Sequence, residues 1–330
     1  YASRAHANFM NINLVERLNY MKKVGRHNVS GLLGFEASSK EYNTLSATGS
    51  GFVNDHIKEV SYATDRSGSS SYSLTRGMSL FAQGTYSYDN RYYLLVNTRR
   101  DGRSNFGPDV RWAEFASAGV SWNAHNEAFM EPIESINILK FKLSYGTNGN
   151  SRIGTLEALG LYSYSDNDQY AGQAGASMSG SPNPTLSWET TYMTNLGVRI
   201  RVFDRFDVDL EAYSNKTVDL LSNLDVSRTT GDTRVYRNVG SIRNRGLEAT
   251  IDAELYRNRE MEWTASINLS HNQNTLLELY NGESKVMGET IWREGYDTNT
   301  FYLVRWAGVD PRDGAPLWYD AKGNLTRVYD

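Results

Sequence analysis

The sequence predicts an all-β chain of the transmembrane antiparallel barrel class with long extracellular loops. Three observations carry that expectation. Apolar and polar residues alternate with period two along most of the chain, which is the signature of strands with two different faces. Several alternating rows reach the ~9–11 residues that a tilted strand needs to cross a bilayer. Short and long connections follow one another in turn.

The rows run in order. Val29, Gly31, Leu33 and Phe35 form the first, and Met78, Leu80, Ala82, Gly84, Tyr86 and Tyr88 the next. Ala116, Ala118, Val120 and Trp122 follow, then Phe141, Leu143 and Tyr145, then the long row Tyr192, Thr194, Leu196, Val198, Ile200 and Val202. In FDVDLEAYSN, Phe206, Val208, Leu210 and Ala212 oppose Asp207, Asp209, Glu211 and Tyr213. Leu247 to Leu255 face away from Glu248, Thr250, Asp252 and Glu254, and Trp263, Ala265, Ile267 and Leu269 face away from Thr264 to Ser270. About a dozen strands result, in a single partial barrel domain over 1–330.

Short connections are expected at 25–28, 89–91, 124–135, 203–205 and 257–261, and long ones near 48–75, 101–112, 147–185, 219–240 and 276–298. Consecutive antiparallel strands send successive connections to opposite ends, so all the long ones share one end, as the extracellular loops of outer-membrane barrels do. A soluble sandwich mixes its connections and uses strands of ~5–6 residues.

Composition agrees and excludes other classes. The chain has 330 residues, of which 39% are hydrophobic, with 22 Tyr, 28 Gly and 6 Pro. Its mean hydropathy is −0.56. No apolar run is long enough for a membrane helix. A net charge of −4 argues against a nucleic-acid surface, and the absence of Cys removes disulfides and thiolate metal sites. The chain starts at Tyr1 without Met or an apolar leader, as expected of a processed or interior piece.

Parity also fixes register, because residues paired across strands share a face. A three-residue loop at 203–205 places Arg201 opposite Asp207 and Arg199 opposite Asp209. A loop at 257–261 pairs Leu255 with Trp263 and Ile251 with Ile267.

Seven blocks extend the reading: RRDGRSNFG with RWAEFASAGVSWNAHNEAFM (99–130), LKFKLSYGTNGNSRIG, NPTLSWETTYMTNLGVRIRVF, FDVDLEAYSNKTVDLL, TTGDTRVYRNVGSIRNRGLEATI, WTASINLSHNQNTLLEL and AGVDPRDGAPLWYDAKGNL. In this order and spacing they resemble the barrel of the SusC/RagA family of TonB-dependent outer-membrane transporters of the Bacteroidetes. The resemblance implies a segment of a large, 22-stranded barrel in the outer membrane, plugged by an N-terminal domain. Neither that plug nor the family's last strands is in view, so an interior piece is expected.

Catalysis is not expected. Asp207, Asp209 and Glu211 on one face, with Glu248, Asp252 and Glu254, are rows of similar acids opposite Arg199 and Arg201. Acid–base chemistry needs carboxyls in individually distinct surroundings. Together with Tyr213, these nine residues read as a wet lumen wall. There is no Cys nucleophile and no GxSxG elbow, and the histidines (His6, His27, His56, His125, His271) are scattered. No cofactor or metal is expected; the DND run at 166–168 lacks the spaced oxygens of a Ca²⁺ loop. Trp122, Trp188, Trp263, Tyr86, Tyr88, Tyr92 and Tyr192 fall near strand ends, where aromatic girdles anchor barrels in outer-membrane lipid. Tyr162, Tyr164, Tyr170, Trp292 and Tyr296 fall in long loops. There they would serve equally to stack on sugar rings, to pack a peptide, or to hold the loops to one another or to a partner.

The expected function is active import of oligosaccharides or oligopeptides. As the resemblance implies, a SusD-like surface lipoprotein would be the lid and the TonB complex would supply energy through the plug. The alternative is a surface glycan-binding or adhesion β-protein without a lumen.

Overall fold

Alternation of this length cannot bury its apolar rows within one sheet, and the chain forms long antiparallel strands with a bare apolar face. A computed structural model describes residues 1–330 apart from 55, 57–58, 155–157, 159–160, 171–172, 181, 228, 230–233 and 330; over 161–170, 174 and 176–180 it describes the backbone alone. Ten strands form one sheet: β1 (Ala2–Val24), β2 (His27–Ser50), β3 (Asp65–Tyr88), β4 (Tyr92–Arg103), β5 (Trp112–Asn123), β6 (Ile136–Asn150), β9 (Glu189–Val202), β10 (Phe206–Val218), β13 (Ser241–Arg257) and β14 (Glu262–Glu278). Their order in the sheet follows the chain, and every pairing is antiparallel. Two strand pairs, β7 (Leu161–Tyr170) with β8 (Gln173–Gly180) and β11 (Leu221–Asp225) with β12 (Arg234–Asn238), lie within long connections. After β14 come a hairpin, β15 (Lys285–Met287) and β16 (Thr290–Trp292), and a three-stranded sheet of β17 (Arg305–Val309), β18 (Pro316–Tyr319) and β19 (Leu325–Thr326).

The dozen expected strands are therefore ten long ones plus short pairs that sequence alternation alone does not separate from loop. The connections keep their predicted sides. Turns after Val24, Tyr88, Asn123, Val202 and Arg257 share one end, and the long connections share the other. Both three-residue turns adopt the same left-handed conformation, at Asp89 and Asn90 (φ 52° and 56°) and at Phe203 and Asp204 (φ 55° and 53°). Each is closed by one bond, from Arg91 N–H to the Tyr88 carbonyl at 2.9 Å and from Arg205 N–H to the Val202 carbonyl at 3.1 Å. Such turns match the right-handed twist of the flanking strands.

One apolar row crosses eight strands without a break: Val29, Tyr86, Leu94, Val120, Leu143, Leu196, Ala212 and Leu247 are successive cross-strand partners. These side chains remain bare, with Leu247 63% exposed and Leu196 52%. Buried apolar packing gathers instead at the long-connection end, where Phe106, Phe115 and Trp188 pack with Ala113 and Ile153.

Two expectations are corrected. Trp188 is not a girdle residue: it is 6% exposed, its ring centroid lies 5.1 Å from Phe106 and 5.8 Å from Phe115, and its Nε1–H donates to the Arg111 carbonyl at 3.3 Å. The long connections supply an apolar pocket that the strand pattern cannot reveal. Leu255 does not pair with Trp263 either, because a β-bulge between Glu254 and Tyr256 puts Tyr256 opposite Trp263 and tightens the turn to 258–261. The bulge leaves Ile251 opposite Ile267 as expected.

The small β17–β19 sheet is tied by one carboxylate. Asp310 accepts from Arg312 Nη2 at 2.9 Å, from the Arg312 backbone N–H at 3.1 Å, and from Arg327. These bonds, the Arg312 side chain foremost, hold its carboxyl far below the usual carboxylate range. A depressed folded pKa contributes stability that is fully present above the ordinary value near 4 and is lost only as pH falls through the folded one.

Two outcomes follow. Hydrogen exchange over 305–327 of the full-length protein should stay slow at pH 4, and Asp310→Asn should speed exchange there already at pH 7. Trp188→Ala should cost about 3–5 kcal/mol in reversible urea unfolding, the range for a buried large aromatic.

Candidate functional site

The face opposite the apolar rows is mostly polar across β6–β14, with Ile138 opposite Arg201 among its few apolar residues. Lys140, Arg199, Asp209, Thr250 and Asn268 form one cross-strand row, and Arg201, Asp207, Asp252 and Ser266 the next toward the short turns. On the other side lies the row Lys142, Gly197, Glu211, Glu248 and Ser270. The structure thus brings together all nine residues of the predicted wall: Arg199, Arg201, Asp207, Asp209, Glu211, Tyr213, Glu248, Asp252 and Glu254 share one face.

Register is as the parity argument required, with Arg201 opposite Asp207 and Arg199 opposite Asp209. The ion pairs are shared differently. Arg199 leans to Asp207, giving its Nε–H at 3.0 Å and Nη2–H at 2.8 Å to the two carboxylate oxygens. Arg201 also donates to Asp207, from Nε at 3.0 Å and from Nη2 at 2.5 Å. A carboxylate can accept a bidentate guanidinium and still hold lone pairs for a second. Asp209 is held by Lys142 on β6, whose Nζ lies 3.1 Å from Asp209 and 3.3 Å from Glu211. Sequence reasoning missed Lys142, although its alternation with Phe141 and Leu143 was signal enough to put it on this face.

Like charges also meet. Glu211 is directly opposite Glu248, and Asp207 directly opposite Asp252. Such pairs destabilise a sheet by a few tenths of a kcal/mol or more, and they persist where water and cations screen them. Glu248 and Asp252 hold no ion pair or hydrogen bond among the described residues. With Arg199, Asp207, Asp209, Glu211 and Thr250 they line an open polar groove of about 350 Å³. Its five carboxylates outnumber Lys142, Arg199 and Arg201 by two formal charges. Glu254, at the edge of the wall, pairs with Arg257 at 3.3 Å. Chemically this surface offers hydrogen-bond acceptors and a mild negative field to polar solutes.

Tyr213 reaches across the wall. Its ring lies over Gly246, where a Cβ would come within 2.4 Å of it, and its hydroxyl donates to Asn272 Oδ1 at 3.2 Å. A second polar cluster, also missed from sequence, lies on the same face of β2–β4. Arg99 donates to Glu36 at 3.0 Å, Ser79 at 2.9 Å and Asp101 at 2.6 Å, with its guanidinium 5.3 Å from the Phe81 ring centre. Phe81 in turn covers Gly34, where a Cβ would approach the ring to 2.2 Å.

The aromatic assignments divide. Tyr86, Tyr88, Tyr92, Trp122 and Trp263 lie near the short turns, and Tyr192 lies toward the long end. Trp122 stacks on Phe141 at 5.6 Å and donates to Glu127 at 3.1 Å. Glu127 also accepts from Tyr92 at 2.6 Å and Arg91 at 3.2 Å, and these donors, Tyr92 first, lower its carboxyl pKa. Of the loop aromatics, Trp292 is half-buried in β16, opposite Lys285, and Tyr296 packs under Arg293 at 5.7 Å. Tyr162, Tyr164 and Tyr170 fall on β7 together with the DND run, and their side chains lie outside the described residues.

Comparisons with known proteins agree with this architecture. The family model described as "TonB dependent receptor-like, beta-barrel" matches residues 3–328. TonB-dependent receptor P39 of Formosa agariphila is 33% identical over 327 residues, covering 94% of this chain and 30% of the relative. TonB-dependent receptor SusC of Bacteroides thetaiotaomicron is 30% identical over 274 residues, covering 76% of this chain and 27% of that protein. The chain therefore spans about a third or less of the curated relatives it matches. Among solved structures, the RagAB peptide importer in its open-open state superposes with a TM-score of 0.90 at 27% identity, covering 99% of this chain and 37% of that one. The outer-membrane transporter YddB of Escherichia coli shares the fold at a TM-score of 0.58 and 14% identity. The matched relatives are receptors and transporters by name, and the chain belongs to the TonB dependent receptor-like β-barrel family of the outer membrane.

Proposed function

We propose that this chain is part of the barrel wall of a SusC-like active importer, which takes oligosaccharides or oligopeptides through the outer membrane. The single observation that carries the reading is the division of the sheet: an unbroken, bare apolar row on one face, and on the other the hydrated wall of Lys142, Arg199, Arg201, Asp207, Asp209, Glu211 and Glu248. In this reading the apolar face meets lipid, with the aromatics near the short turns at the periplasmic boundary. The polar face meets the lumen. The acidic groove offers acceptors to hydroxyl, amide and ammonium groups of a passing solute, and binding is weak because most of these carboxylates are already shared with cations. A SusD-like lipoprotein closes the long-connection end, and the TonB complex supplies the energy. The likeness to SusC and to the RagAB peptide importer supports the pairing.

Two measurements test it. In the full-length protein, Leu210→Arg should cost about 2–4 kcal/mol of folding stability in lipid, the charge cost on a lipid face at mid-bilayer. Glu211→Gln, one residue on, should cost under about 0.5 kcal/mol, as for a solvated surface substitution. Equal costs would overturn the assignment of faces. In cells, deletion of the gene should abolish growth on one oligomeric nutrient, glycan or peptide, while growth on its monomer continues. Growth unchanged on all of them, with loss of surface adhesion instead, would favour the adhesion reading.

A further inference from the structure

The apolar face changes character toward the long-connection end. Beyond the row of Leu143, Leu196, Ala212 and Leu247 comes the row Tyr145, Thr194, Ser214, Arg245 and Gln273, and then Thr147, Tyr192, Lys216, Arg243 and Thr275. These two rows hold three cations and no acid; the row beyond holds one acid, Glu278, opposite Ser241. Lys216 stands ten residues beyond Phe206, which begins β10 at the short turn. That is ~34 Å along the strand and about 26 Å in height at a tilt of ~35–45°. The apolar band of an outer-membrane barrel is ~25 Å tall, so the cations sit at its far boundary.

Lys216 is directly opposite Arg243, and Arg245 follows two residues along on the same face. Opposed Cα atoms lie ~4.5–5.5 Å apart and alternate residues ~6.8 Å, so three positive charges crowd one small patch. Like charges directly opposite weaken a sheet. On the polar wall the cations are met by acids, Arg199 and Arg201 by Asp207, and Lys142 by Asp209 and Glu211. Here the chain supplies no such counterpart. None of the three side chains has an ion pair or hydrogen bond among the described residues, and Arg243 Nε is shielded from solvent without an acceptor. Directly below lies a groove of about 520 Å³. Leu196, Val198, Leu210, Leu247 and Leu269 turn into it, while Glu211 and Glu248, which also border it, belong to the polar face.

We infer that Lys216, Arg243 and Arg245 bind the phosphate of an outer-leaflet lipid, with one of its acyl chains lying in the groove below. Charge and position argue together. Guanidinium forks take phosphate oxygens two at a time, and the Lys216 ammonium adds a point charge beside them. The patch is continuous with the apolar rows, so its occupant carries an anion above and a hydrocarbon chain beneath. A soluble anion has no chain, and an acidic protein segment would leave the groove bare. Tyr145 and Tyr192, 56% and 40% exposed, flank the cations at the depth where aromatic rings meet lipid headgroups. The inference rests on the import reading only for turning the apolar face to lipid and the long-connection end outward. It adds a ligand on the outside of the barrel, apart from the lumen and its cargo.

The test titrates the full-length protein in detergent, with any lipoprotein that co-purifies, against monophosphoryl lipid A, and counts bound lipids by native mass spectrometry. The first lipid should bind at least tenfold more weakly to the triple variant Lys216→Gln, Arg243→Gln, Arg245→Gln. Removing the phosphate from the lipid should weaken its binding to the wild type by a similar factor and leave its binding to the triple variant unchanged. Where the triple variant does not fold, single substitutions carry the test. Each should weaken binding about fivefold, as for a cation beside an anionic lipid surface, and Arg243→Lys less than Arg243→Gln. Equal binding by wild type and variants, or indifference of the wild type to the phosphate, would overturn the proposal. So would displacement of the lipid by inorganic phosphate, or a triple variant that keeps the lipid but sheds the lipoprotein. The lumen-side pair Arg199→Gln, Arg201→Gln separates the two readings. It should leave lipid binding unchanged; if it alone released the lipid, the assignment of faces would fall together with this site.

Discussion

A backbone inside hydrocarbon has no water to bond, so each N–H and C=O must find its partner in the protein. That requirement sets the rest of this structure. It demands long strands laddered along their length, here ten in sequence order with single-residue register shifts only near strand ends. Once the backbone is satisfied laterally, side chains are free to divide by solvent. The outcome inverts a soluble protein: Leu196, Leu210 and Leu247 are bare, while Asp207 is among the better-covered side chains of its strand, enclosed by two arginines.

The same constraint explains why the polar wall tolerates arrangements that a buried core would reject. Glu211 opposite Glu248 and Asp207 opposite Asp252 would be severe faults in a dry interior, where an unpaired charge costs several kcal/mol. On a solvated polar face they are minor, and neighbouring cations redistribute rather than pair one to one. Asp207 takes both arginines, and Lys142 crosses from β6 to serve Asp209 and Glu211. Such sharing gives a surface of many comparable, partly occupied acceptors.

Much of this was legible in the sequence, because period two is a strong signal when both faces are solvated differently along a long strand. The parity of Val202 and Phe206 was enough to set Arg201 against Asp207, and loop lengths were enough to separate the two ends of the sheet. What the alternation could not carry was anything that breaks it or lies outside it. The bulge at Leu255 inserts one residue without changing residue type in a recognisable way. Trp188 has the right spacing for the outer row but is captured by Phe106 from the connection after β4 and by Phe115 at the start of β5, both distant in sequence. The Arg99 cluster joins Glu36, Ser79 and Asp101 from three strands, and no local pattern names those partners.

The sheet's order has one more consequence. Each strand pairs only with its neighbours along the sheet, and the added pairs β7–β8 and β11–β12 hang from connections at one end without disturbing that order. The β11–β12 pair meets the wall through side-chain bonds, such as Leu221 N–H to Glu189 Oε1, and not through the strand ladder. A lineage can lengthen, exchange or delete these outer hairpins, and so alter what the cell surface displays, while inheriting the barrel staves unchanged.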